Sequence, residues 1–85
     1  MDYIIEQQHT KEECLQALDD LALRSPQLLS SCYLTCTTGE HKGYCFVEGS
    51  SESEVREMVP PSLREKARVI RADRYTPEQI RSFHQ

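Results

Sequence analysis

The chain has 85 residues, of which 38% are hydrophobic and 28% charged, with a formal net charge of −4. That length makes one domain, and one so short buries only roughly 60–65% of its unfolded surface, leaving a thin core that pairing with a second copy would help. No apolar run approaches the ~18 residues of a membrane span, and the acidic balance disfavours nucleic acid, which needs a basic footprint.

Residues 2–9 are rich in β-formers and run into a helix start, which predicts the first strand. Thr10 and Glu13 have the spacing of a capping box. Behind them Cys14, Leu15, Ala17, Leu18, Leu21 and Ala22 recur at three- and four-residue steps on one helix face. Pro26 interrupts that helix and opens a short second turn. Residues 31–37 and 44–48 read as strands, and the turn chemistry between them makes an antiparallel hairpin. Ser51 and Glu54 form a second capping box before Val55, Met58 and Val59, and Pro60-Pro61 ends that helix or begins a new turn. Residues 68–73 form the last strand, and Thr76-Pro77-Glu78-Gln79 starts a C-terminal helix through Phe83. The order predicts a single α+β domain over residues 1–85. It is of the ferredoxin-like β-α-β-β-α-β kind, with a four-stranded antiparallel sheet and a short C-terminal helix.

Helices cover one face of such a sheet, and alternation assigns residues to each face. Tyr3, Ile5, Cys32, Leu34, Cys36, Cys45 and Val47 point to the helices if the hairpin turn holds an even number of residues, and so do Ile70 and Ala72 of the last strand. Ile4, Glu6, Gln8, Tyr33, Thr35, Tyr44, Phe46, Glu48, Val69, Arg71 and Asp73 point to the open face. Three aromatics on an uncovered face mark a contact surface, and apolar walls with a few polar groups also define ligand pockets.

Three stretches carry a resemblance: Tyr3-Ile4-Ile5-Glu6 running into Gln8-His9-Thr10, then Gly43-Tyr44-Cys45-Phe46-Val47-Glu48, then Ala67-Arg68-Val69-Ile70. With the element order they resemble the small stand-alone proteins of the dimeric α+β-barrel superfamily, uncharacterised bacterial families that include one with nickel-binding members. The resemblance implies a homodimer whose open sheet faces meet. It implies no particular function, because the fold hosts oxygenases, isomerases and metal binders alike.

Three functional readings follow. In the first, the open face binds a small ligand and supports cofactor-free proton transfer. Glu6 or His9 is then the base, Tyr44 or Arg71 holds the developing anion, and Gln8, Tyr33, Phe46 and Glu48 line the ligand. Glu6 and Glu48 stand side by side on neighbouring strands in this reading. In the second, His9 with Glu6 or Glu48 binds a metal, nickel by analogy with the resemblance. In the third, the aromatic face is an interaction module without catalysis.

The four cysteines, Cys14, Cys32, Cys36 and Cys45, are expected to be reduced. The N-terminal segment carries an acid where a secretion signal needs a basic start, so the expected location is the cytosol. Cys32-x3-Cys36-x4-His41-x3-Cys45 approaches a zinc knuckle, with both outer gaps off by one. With Cys32 and Cys36 on one strand, about 13 Å apart, bonds of about 2.3 Å cannot share a zinc ion. The cysteines are therefore expected to bind no zinc, and no metal ligand is assigned and no cofactor expected in the first reading. His41 is expected in the solvated turn and His84 in the tail.

Overall fold

Alternation along the first strand sets the centre of the structure. In the computed structural model, which describes residues 1–84, this strand is β1 (Asp2–Gln8). Tyr3, Ile5 and Gln7 are buried, and the residues between them are half-buried. β3 (Lys42–Glu48) and β4 (Ala67–Ala72) flank β1, both antiparallel to it. The short β2 (Cys32–Leu34) pairs with the far side of β3, so the sheet order is β2-β3-β1-β4.

Short helices complete an α+β fold compatible with a ferredoxin-like arrangement. They are α1 (Cys14–Arg24), α2 (Pro26–Leu29), α3 (Glu52–Glu57), α4 (Pro61–Arg64) and α5 (Pro77–Ser82). Pro26 splits α1 from α2, and Ser25 at the break donates its hydroxyl to the Met58 carbonyl at 2.9 Å, tying the break to the end of α3. Ala17, Leu21, Leu28, Val55 and Val59 pack onto Tyr3, Ile5 and Cys45, which places the core between the helices and one sheet face. No helix among the described residues is long and apolar enough to cross a membrane.

Ser51 and Thr76 cap α3 and α5 as expected, whereas the Thr10–Glu13 pair closes the turn ahead of α1, whose own N-cap is Glu13 without a side-chain bond. Thr10 and Glu13 exchange bonds at 2.9 and 3.2 Å, Ser51 accepts from the Glu54 amide at 3.1 Å, and Thr76 and Gln79 form a full capping box. Replacing Ser51 orphans a helix amide, so Ser51→Ala is expected to lower stability by about 1 kcal/mol in urea denaturation.

The register corrects three expectations. Val69 lies opposite Ile5 and Arg71 opposite Tyr3, so Val69 and Arg71 share the helix-covered side, while Ile70 lies opposite Ile4 on the open face. The strand begins at Ala67, and that phase turns every later side chain over from the predicted one. β2 ends at Leu34, and Cys36 stands in a 3-10 turn (Cys36–Thr38) rather than on the strand. Finally, Cys32 and Cys45, directly opposite in register, are joined by a disulfide, so two of the four cysteines are not thiols. The bond closes a loop with a sequence separation of 13. Its reduction is expected to destabilise the fold by about 3 kcal/mol on the chain-entropy scale, measurable as a lower denaturation midpoint in reductant.

Candidate metal centre

The inward side of β1 extends one step beyond the strand. His9 continues the row of Tyr3, Ile5 and Gln7 and is 5% exposed. Its N–H donates to the His41 carbonyl at 3.1 Å, adding one rung to the β1–β3 ladder and setting the two histidines opposite each other. Their ring centroids lie 5.4 Å apart.

Two further segments close on this pair. The Thr38 amide and hydroxyl both donate to the Thr35 carbonyl, at 2.9 and 2.7 Å, and the Gly39 amide donates to the Cys36 carbonyl at 3.1 Å. Gly39 has φ 92°, a left-handed conformation that glycine adopts without steric cost. The folded turn brings Cys36 Sγ to 3.4 Å from His9 Nε2. From the other side, the Thr10–Glu13 capping box turns the chain into α1, whose first residue is Cys14. The ligand atoms of His9, Cys14, Cys36 and His41 all lie within 4.8 Å of one another.

The electrostatics of the cluster favour uncharged groups. Burial, followed by the neighbouring His41, holds the His9 pKa below its ordinary value. Burial, followed by the hydrogen bond with Cys14, pushes the Cys36 thiol up. His41 Nδ1 is shut off from solvent and has no hydrogen-bond partner among the described residues. Buried polar atoms are nearly always paired, so such an orphan calls for a partner.

A divalent cation is the partner this donor set fits. Tetrahedral zinc, with bonds of about 2.0–2.1 Å to nitrogen and 2.3 Å to sulfur, needs ligand atoms about 3.3–3.8 Å apart. The observed spread of up to 4.8 Å exceeds that by about 1 Å. Thiolate and imidazole suit zinc, whereas calcium and magnesium take oxygen. A bound cation would reverse the preference of the Cys36 thiol, stabilising the thiolate that burial disfavours.

No known protein family, curated protein or solved structure matches this chain. The centre is therefore read from its own geometry.

Of the residues proposed from sequence, His9 alone enters this cluster. Glu6, Gln8, Tyr33, Tyr44, Phe46 and Glu48 lie on the open face as their parity requires. Glu6 pairs in register with Tyr44, and Glu48 with Asp2, which separates the two carboxylates by four strand positions, about 13 Å. Glu6 pairs instead with the exposed Arg68, at 3.6 Å. A shallow cleft of about 360 Å³ is lined by Ile4, Phe46 and Glu48, but Glu6 and Tyr44 are not part of it. Sequence reasoning missed Cys14, Cys36 and His41 as ligands. Their signal was the mirrored spacing His9-x4-Cys14 and Cys36-x4-His41.

Proposed function

We propose that the protein binds one zinc ion per chain in a closed centre of His9, Cys14, Cys36 and His41, and that the ion is structural. One observation carries the reading: these donors, drawn from four separate segments, converge within 4.8 Å of one another. Four protein ligands leave no open coordination position, which is the arrangement of structural rather than catalytic zinc. When bound, the ion supplies coordination bonds and positive charge. The chain's own residues exclude water, disfavour charge on the His9 imidazole and tie the end of β1, the start of α1, the 3-10 turn and the lead into β3. In a domain with so thin a core, such a tie does what a larger core does elsewhere. The cysteines support a division of labour: Cys32 and Cys45 are bonded, whereas Cys14 and Cys36 stay free despite their proximity. Metal analysis and native mass spectrometry test the reading. Purified protein is expected to carry one zinc per chain, lost in Cys14→Ser and kept in Glu6→Gln and Glu48→Gln. Zinc lost in the carboxylate variants instead would move the site to the open face.

The open face supports a second reading, a homodimer formed through it, as the resemblance to dimeric α+β barrels implies. Tyr33 and Phe46 are 72% and 52% exposed and meet edge to face at 6.2 Å. Ile70 and the half-buried Ile4 extend this apolar surface across the sheet. Contiguous apolar surface of this kind marks contact sites.

A further inference from the structure

Gln7 is 3% exposed, a buried amide between Ile5 and His9 in the inward row of β1, and both ends of its side chain are engaged. Its Nε2 donates to the Gln8 carbonyl at 2.9 Å. Its Oε1 lies 3.2 Å from His9 Nδ1. The amide cannot be reversed, because Oε1 would then face the Gln8 carbonyl, two acceptors without a proton between them. Oε1 therefore accepts from His9 Nδ1–H. That leaves the proton off Nε2, the nitrogen facing Cys36 Sγ at 3.4 Å. The cross-strand neighbour makes room for this. Residue 43, opposite Gln7 in register, is glycine, and a Cβ there would come within 2.8 Å of Leu34 Cδ2 and 3.7 Å of Gln7 Oε1.

We infer that Gln7 is a positioning residue for the metal centre: by accepting from His9 Nδ1–H it fixes the tautomer and ring orientation that present Nε2 as a ligand. The inference rests on the zinc reading above. Metal-binding histidines commonly give their second ring N–H to such an acceptor, and loss of that acceptor weakens metal binding about 10–100-fold.

The test is titration of the metal-free protein with Co(II), followed optically, in wild type, Gln7→Met and Gln7→Glu. Imidazole nitrogen shifts of His9 are measured by NMR in the metal-free state. Methionine matches the volume of Gln7 but cannot take the Nδ1 proton, so Gln7→Met is expected to bind Co(II) about 10–100-fold more weakly. Its His9 also shifts toward the Nε2-protonated tautomer. Glutamic acid, protonated in this buried position, keeps both partners, its O–H donating to the Gln8 carbonyl and its other oxygen accepting from His9 Nδ1–H, so Gln7→Glu is expected to restore tight binding and the wild-type cobalt spectrum. Should Gln7→Met fail to fold, the wild-type tautomer still decides, because an Nε2-protonated His9 overturns the inference. Wild type and Gln7→Met binding Co(II) equally tightly overturns it as well and leaves the zinc reading standing. A wild type that binds no Co(II) overturns both.

Discussion

Chelation of zinc is expected to lower the melting temperature by about 15 °C or more, and Cys36→Ser to do the same without a chelator. A ligand that binds only the folded chain contributes about 4 kcal/mol when free ligand stands at a thousand times its dissociation constant. In a domain of this size each kcal/mol moves the midpoint by about 4–8 °C. Among the donors at stake, Cys36 stands in a 3-10 turn held by its own local hydrogen bonds, and it meets His9 and Cys14 across the cluster. Calorimetry with and without chelator reads the effect. His84, exposed in the tail, is the control, and His84→Ala should melt like wild type. A melting temperature indifferent to chelator would mean that the cluster holds no structural ion.

Phe46→Asp is expected to dissociate the homodimer proposed to form through the open face. Phe46 lies opposite Ile4 near the middle of the open face and against Tyr33. An unpaired carboxylate in an apolar contact costs about 3 kcal/mol or more, which weakens association by about a hundredfold or more. Sedimentation equilibrium at micromolar concentration should show a dimeric wild type and a monomeric variant. Both should carry zinc alike, because Phe46 and the metal ligands are on opposite sides of the sheet. A variant that still sediments as a dimer would move the interface off this face.

Local signals in the sequence were read correctly wherever one physical cause dominated. Strict alternation from Tyr3 to Gln8 and from Tyr44 to Glu48 shows the faces of β1 and β3, and the starts of α3 and α5 are legible in Ser51 and Thr76 because a cap needs only its own side chain, whereas Thr10 caps only the turn before α1. β4 was ambiguous for a stated reason: Val69 and Ile70 are adjacent and both apolar, so either phase buries one of them, and tertiary packing chose Val69. The disulfide was half legible. Parity put Cys32 and Cys45 on one side of the sheet, but their oxidation state was inferred from location rather than from their opposition. The metal centre was hidden by extending β2 to residue 37, which fixed attention on Cys32 with Cys36 and a separation no ion could span. The chain instead leaves the strand after Leu34, and the turn that folds Cys36 back is set by Thr35, Thr38 and Gly39, which alternation does not report. Continuing the same parity past Gln8 and Gly43 would have set His9 against His41.

X-ray absorption at the zinc edge on the metal-loaded protein tests the ligand set most directly. Coordination by His9, Cys14, Cys36 and His41 predicts two sulfur neighbours at about 2.3 Å and two imidazole nitrogens at about 2.0–2.1 Å. A shell of four sulfurs would place the ion on all four cysteines and break the Cys32–Cys45 bond, and a shell of oxygen and nitrogen alone would remove the thiols from the centre. Either result would contradict the assignment.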